Sequence, residues 1–196
     1  MDSAVERAVE VLRRGGVIAY PTDTLYALGV DPRIGDAVAR LFEVKGRDHA
    51  QAVPLIAADE EQVRQVAELS PLGERLARRF WPGPLTLVVL ARAPLASGVR
   101  SPDGSVAVRV PRHDVSRDLA AGLGFCITAT SANVSGHPPA AAAAAVQQAL
   151  GDRIDLVLAG DAPGGPPSTI VDVRGEVPRL VRAGVVPFDR VLESLW

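Results

Sequence analysis

Val17 to Val30, VIAYPTDTLYALGV, is the stretch that most limits what this chain can fold into: a short apolar run, a proline, three hydroxyl or carboxyl side chains in a row, then a glycine. That order reads as a buried strand delivering polar groups to a site at its carboxyl end. A core uses the strand but has no use for Thr22, Asp23 and Thr24 packed together. The cluster therefore either caps a turn, as Asp and Thr do through their own backbone, or holds a small polar ligand.

The flanking sequence supplies the scaffold. Ser3-Ala-Val-Glu6 has capping-box spacing, and Val5, Ala8, Val9 and Leu12 fall on one helical face before Gly15-Gly16. A second amphipathic helix carries Ile34, Val38, Leu41 and Phe42 and ends at Lys45-Gly-Arg47, where Gly46 is the expected C-cap. Strands are expected at Val53 to Ala57, Leu85 to Ala91, Val106 to Val110, Phe125 to Thr130, Ile154 to Ala159, Ser168 to Val173 and Arg179 to Val181. Helices are expected after Asp59, after Ser70-Pro71, from Pro138 into Leu150, and over Phe188 to Leu195. Strands and helices are mixed along the whole chain, without repeat or composition break. The 196 residues are therefore expected to form one domain, 1–196, of the three-layer α/β (α+β) class around a twisted mixed sheet.

Composition excludes several functions. A net charge of -2 leaves room for a local polyanion site but not for a wholly basic surface. One cysteine, Cys126, rules out an internal disulfide and a cysteine-based zinc site. His49, His113 and His137 share no metal-ligand spacing, so no protein metal site is expected. No G-x-S-x-G elbow, G-x-x-x-x-G-K-[ST] loop or G-x-G-x-x-G fingerprint occurs. The N-terminus carries charges and no signal-type apolar stretch, and the apolar runs break well before membrane-spanning length, which points to a cytoplasmic protein.

What the chain offers instead is cations and hydroxyls near strand ends: Lys45, Arg47, Arg109 and Arg182 with Thr24, Ser131, Asn133, Ser135 and Ser168. Singly, each cation reads as an ordinary surface residue. Converging, the four match a triphosphate, because guanidinium forks bind phosphate oxygens bidentately and lysine adds a point charge.

Tyr20-Pro-Thr-Asp-Thr-Leu-Tyr-Ala-Leu-Gly29, Lys45-Gly-Arg47, Phe80-Trp-Pro-Gly-Pro-Leu-Thr86, Val108-Arg-Val-Pro111 with His113, Ser131-Ala-Asn-Val-Ser-Gly136, Ser168-Thr-Ile-Val-Asp172 and Arg182-Ala-Gly184 together resemble the YrdC family, in the family's order and over nearly the whole chain. Its best understood members are threonylcarbamoyl-AMP synthases. The resemblance implies a YrdC-like domain with an open cationic cleft, in the short form without a C-terminal extension. It implies a nucleotidyltransferase that joins L-threonine, bicarbonate or CO2, and ATP with Mg2+ into threonylcarbamoyl-AMP and pyrophosphate, for the t6A modification of tRNA. Partners implied are these substrates, a tRNA contact and a downstream threonylcarbamoyl-transferase machinery. By similarity Lys45, Arg47, Ser131 and Asn133 form the catalytic tetrad. Thr24, Arg109, Ala129 and Ser168 contact threonine, and Arg47, Ser105, Ser131 and Arg182 hold ATP.

The chain departs from the family's pattern after Arg47, where Asp-His-Ala-Gln-Ala-Val-Pro54 replaces the usual proline and nearby Asn-Pro-Leu, and no contact is carried onto that loop. Two other readings stay open at this point: an RNA-binding module of the same fold without catalysis, and a paralogue acting on another amino-acid or carbamoyl substrate.

Overall fold

The structure, a computed structural model, describes residues 2–46 and 52–196. Eleven strands and seven α-helices appear in it. Helix α1 (Ser3–Arg13) buries Val5, Ala8, Val9 and Leu12, the face its periodicity marks. Its N-cap is Asp2, whose carboxylate accepts from the Ala4 N–H, and Ser3 is already helical. The capping box expected at Ser3 does not form; the cap lies one residue earlier, because a carboxylate directly before the helix serves as acceptor equally well.

The stretch that anchors the sequence reading holds the expected strand before Pro21 and, beyond the polar cluster, a second strand that the reading does not assign. β1 (Ile18–Tyr20) and β2 (Ala27–Gly29) pair antiparallel, and Pro21 to Tyr26 form the connection. Pro21 lacks the N–H a continuing ladder needs, and the Thr22 hydroxyl rebuilds the turn by accepting from the Thr24 and Leu25 N–H groups at 3.1 and 3.3 Å. The turn-capping reading therefore holds for Thr22.

Next come α2 (Gly35–Lys45), β3 (Leu55–Ile56), α3 (Glu60–Val66), β4 (Ala67–Glu68), α4 (Pro71–Phe80), β5 (Leu85–Ala91) and β6 (Ser105–Arg109). Gly46 closes α2 at φ 57°, the left-handed C-cap the sequence marks. Asp59 and Ser70 cap α3 and α4 through side-chain acceptance from Gln62 and Gly73. Helix α5 (Asp114–Leu123) lies between Val110 and Phe125, a stretch to which the sequence reading assigns no element. Then follow β7 (Ile127–Thr128), β8 (Thr130–Ser131), α6 (Ala143–Leu150), β9 (Leu156–Val157), β10 (Thr169–Asp172), β11 (Arg179–Arg182) and α7 (Phe188–Glu193).

The class is mixed α/β as expected, with the strands divided between two sheets. One has four strands in the order β8-β2-β1-β9; the other has seven, running β11-β10-β5-β6-β3-β7 with β4 added beside β5. The apolar run from Phe125 to Thr130 does not make one strand: β7 joins the larger sheet and β8 the smaller, so the chain changes sheets at Ala129. The joint is tied by Tyr20 donating to the Thr128 carbonyl at 2.8 Å, by the Val30 N–H donating to the Thr128 hydroxyl at 2.9 Å, and by the Ala129 N–H donating to Pro54 O at 2.8 Å.

Apolar faces on both sides hold the two sheets together. On one side α1 and α5 meet Ile18, Tyr20, Ile56 and Ile127. On the other Leu85, Leu87 and Val89 of β5 and Val106 and Val108 of β6 point into the main core with Leu41, Leu55, Leu76 and Val171. Strand alternation then leaves Thr86 and Val88, with Ser105, Ala107 and Arg109, on the opposite face of the larger sheet, where they line a cleft.

Candidate active site

That cleft opens at the joint between the two sheets and has a volume of about 750 Å³, within the range of small-molecule and cofactor sites. Its walls include Thr22 and Thr24 from the hairpin turn, Ser105 and Arg109 from β6, Ala129 to Ser131 at the sheet change, and Ser168 and Arg182 beside β10 and β11. Five segments distant in the chain thus supply one concavity, and each presents the side chains for which strand ends and turns leave room.

Arg109 sits at one end. It is 5% exposed, and its guanidinium pairs with the Asp23 carboxylate while Nη2 reaches the Thr22 and Thr24 hydroxyls at 3.4 Å each. Asp23 also accepts from the Arg112 N–H at 2.9 Å. The Thr/Asp cluster thus does two jobs: Thr22 and Asp23 fix a turn and an arginine, and Thr24 faces the cleft. Across the floor, the Thr86 and Ser168 hydroxyls lie 2.9 Å apart. Arg182 belongs to the exposed strand β11, yet its guanidinium turns onto Ser168 and donates to the carbonyl at 2.8 Å and to the hydroxyl at 3.2 Å. Burial first, and the Arg109 charge second, lower the pKa of Arg182. Two guanidiniums that feel each other across a concavity favour an anion between them.

The Lys45 and Ser-x-Asn segments also converge. Lys45, 4% exposed, donates from Nζ to the Ser131 carbonyl at 2.6 Å, to the Asn133 carbonyl at 3.1 Å and to Asn133 Oδ1 at 3.2 Å. The Ser131 hydroxyl donates to Asn133 Oδ1 at 2.5 Å, and the Asn133 amide donates to the Val134 and His137 carbonyls. This cluster locks the Ser131 to His137 loop onto the end of α2, and Ser131 brings it to the cleft wall. Arg47 lies outside the described residues. Among the described residues no group of three His, Cys, Asp or Glu is placed to hold a metal.

The family profile described as "Sua5_yciO_yrdC: Telomere recombination" matches residues 10–184. The chain belongs to the Sua5/YciO/YrdC family. It is 42% identical over 163 residues to the threonylcarbamoyl-AMP synthase of Thiobacillus denitrificans, covering 83% of this chain and 87% of that protein. To the putative threonylcarbamoyl-AMP synthase of Mycobacterium tuberculosis (strain H37Rv) it is 36% identical over 190 residues, 96% of this chain and 87% of the relative. Among solved structures it superposes on P. abyssi Sua5 complexed with L-threonine with a TM-score of 0.91 at 33% identity. That match takes in 97% of this chain but only 57% of the Sua5 chain, so the chain spans a little over half of that relative.

Within this Sua5/YciO/YrdC fold, the cleft collects Thr24, Arg109, Ala129 and Ser168, with Ser105, Ser131 and Arg182. Lys45 and Asn133 stand directly behind Ser131. The sequence reading passes over Thr86 of the cleft and the part that Thr22 and Asp23 play in holding Arg109. Thr22 and Asp23 were legible as a polar cluster, though not as the frame of Arg109. Thr86 stands in the Phe80-Trp-Pro-Gly-Pro-Leu-Thr86 motif, where strand alternation alone could have placed it opposite the core face of β5.

Proposed function

We propose that this chain is an L-threonylcarbamoyladenylate synthase, joining L-threonine, bicarbonate or CO2, and ATP into threonylcarbamoyl-AMP with release of pyrophosphate, in the route to t6A at position 37 of tRNA. The observation that carries this reading is the convergence of Thr24, Arg109, Ser168, Ser131 and Arg182 on one cleft, in a chain 42% identical to a protein named for that activity.

The cleft suits a reaction in which the substrates bring their own nucleophiles. The threonine amine attacks CO2, forming the N–C bond and losing a proton to water. The carbamate oxygen then attacks the α-phosphorus, the bond from that phosphorus to the bridging oxygen breaks, and pyrophosphate leaves. The protein has to align three reactants and offset phosphate charge. Arg109, held by Asp23, supplies a fixed fork for the threonine carboxylate, with the Thr24 hydroxyl beside it and the Ser168 hydroxyl in the same cleft. Arg182, which has no acidic partner among the described residues, keeps its charge for the nucleotide. Lys45 acts through the Ser131 to Asn133 loop, and Arg47 completes the set. Magnesium enters as part of the nucleotide substrate, held by phosphate oxygens and water. The adenylate passes to a transferase that modifies tRNA.

The test is pyrophosphate release from ATP and bicarbonate with each amino acid in turn, using Arg47→Ala and Asn133→Ala as controls. Threonine-dependent release that both substitutions abolish is expected. Release with another amino acid alone would make the chain a paralogue. With no release from folded protein, the synthase reading fails and the RNA-binding module takes its place.

A further inference from the structure

The floor of the cleft is graded along β6. Arg109 and Ser105 lie on the same face of that strand, roughly 13 Å apart at about 3.3 Å per residue. Around Arg109 are the hydroxyls and the second arginine. Between the two ends the floor is apolar at Val88 and Ala107, with Ile170 and Val181 lining it from β10 and β11. At the far end Ser105 is 4% exposed and faces the cleft with its hydroxyl already committed. Its Oγ–H donates to Asp103 Oδ1 at 2.6 Å, and its N–H donates to the same oxygen at 3.1 Å.

Asp103 is itself fixed from behind. Arg174 donates to Asp103 Oδ2 at 2.6 Å and to both oxygens of Asp172 at 3.0 and 2.8 Å, and Arg179 donates to Asp172 at 2.9 Å. The chain of charges ties the turn before β6 to β10 and β11. The Ser105 hydrogen bond first, and Arg174 after it, hold the Asp103 carboxyl at about 2, so it is ionised near neutral pH. A carboxylate accepts and cannot donate. The serine hydroxyl proton therefore stays directed at Asp103, and only the serine lone pairs are left for a ligand.

That polarity decides which part of a nucleotide fits. A phosphate oxygen needs a donor, and at Ser105 it would meet lone pairs with a carboxylate behind them. A neutral group carrying N–H or O–H would be accepted. We propose that Asp103 fixes the Ser105 hydroxyl as a hydrogen-bond acceptor that reads a donor on the nucleoside half of the nucleotide, either the exocyclic amine of the base or a ribose hydroxyl, with the base over the Val88, Ala107, Ile170 and Val181 floor. Ser105 is then a specificity residue and Asp103 its positioning residue. The triphosphate runs the other way, toward Arg182 and the Lys45 segment. The inference rests on the nucleotide-binding reading above.

The test is equilibrium binding by calorimetry, which requires no turnover. ATP is compared with purine riboside triphosphate, which lacks the amine, and with 2′-deoxy- and 3′-deoxy-ATP, on wild type, Ser105→Ala and Asp103→Ala. Wild type is expected to bind one of these analogues about tenfold more weakly than ATP, the size of one well-placed hydrogen bond; which analogue it is identifies the donor. Ser105→Ala should weaken ATP by the same factor, leave that analogue unchanged, and so lose the discrimination. Asp103→Ala frees the serine proton and should narrow the discrimination while threonine binding, measured in parallel, stays as in wild type. Equal weakening of all four nucleotides by Ser105→Ala would mean a phosphate contact or a structural role and would overturn the proposal alone. Absence of any nucleotide binding by folded wild type would overturn it together with the synthase reading.

Discussion

Arg109 and Asp23 stand 86 residues apart in the chain and form an ion pair with side chains only 6% and 9% exposed. A guanidinium so placed depends on its carboxylate, because removing one member leaves a buried charge without compensation. Asp23→Ala is therefore expected to cost about 3–5 kcal/mol, read as a shift of the urea midpoint. Arg109→Met added to Asp23→Ala should recover part of that loss, since no lone charge remains, yet it should leave threonine use abolished. A loss below about 1 kcal/mol for Asp23→Ala, the range of exposed pairs, would show that the pair is solvated.

Thr86 and Ser168 share a hydrogen bond of 2.9 Å on the cleft floor, and Thr86 is 1% exposed. Thr86→Val keeps the shape and removes the bond. The expected cost in stability is about 1 kcal/mol. Ser168 would be free to leave its present orientation on the cleft floor, so the KM for threonine should rise roughly tenfold while the KM for ATP holds. If both rise together, Thr86 supports the cleft as a whole and does not orient Ser168.

Much of the site was legible because its parts are local: Lys45 and Gly46 end a helix, Ser131 and Asn133 follow a strand, and Arg109 interrupts an alternation of valines. What sequence could not supply was how those parts face each other. In Val17 to Val30 the strand before Pro21 was legible, but its pairing with Ala27 to Gly29 depends on the turn that Pro21 and the Thr22 hydroxyl build. Phe125 to Thr130 reads as one buried strand, and its break at Ala129 arises because Thr128 and Thr130 pair in different sheets, a tertiary choice. Helix α5 buries Ser116, Leu119, Ala120 and Leu123, but the small residues between them blur its period. The Ser105, Asp103 and Arg174 relay joins the turn before β6 to the end of β10 and leaves no pattern along the chain.

Asp172 gives the protein a predictable acid limb. Its hydrogen bonds from Arg174, opposed in part by burial and reinforced by the Arg174 N–H and by Arg179, hold its carboxyl well below the ordinary range. Asp103 is held at about 2. A carboxyl depressed in the folded state stabilises fully above the unfolded value near 3.9, and that contribution disappears as pH falls toward the folded value. Urea midpoints should therefore hold near neutral pH and fall from about pH 5 downward, with the loss continuing through about pH 2. Asp172→Asn should be less stable than wild type at neutral pH and show a flatter acid limb. An unchanged slope in Asp172→Asn would assign the limb to other carboxylates.

Gly184 ends the Arg182-Ala-Gly184 motif because there is no room for a side chain. A Cβ there would lie 2.2 Å from the Pro167 carbonyl oxygen, 2.5 Å from the Ser168 carbonyl carbon and 2.6 Å from the Thr169 nitrogen. All three are backbone atoms, which cannot rotate aside as the tip of a side chain would. The neighbouring Val185 N–H donates to that same Pro167 carbonyl at 3.0 Å, so the contact also registers Arg182 against Ser168. Gly184→Ala must push the two segments apart, and the expected cost is about 1–3 kcal/mol, as for an overpacked core. Because Arg182 and Ser168 lie on the two segments being separated, the KM values for ATP and threonine should both rise, by roughly tenfold or more. Gly136→Ala is the matched control for added bulk: no atom lies within 4 Å of a Cβ there, though its φ of 84° adds backbone strain of its own. A Gly184→Ala protein with wild-type KM values and stability would show that the close approach at Pro167 does not set the spacing of the cleft wall.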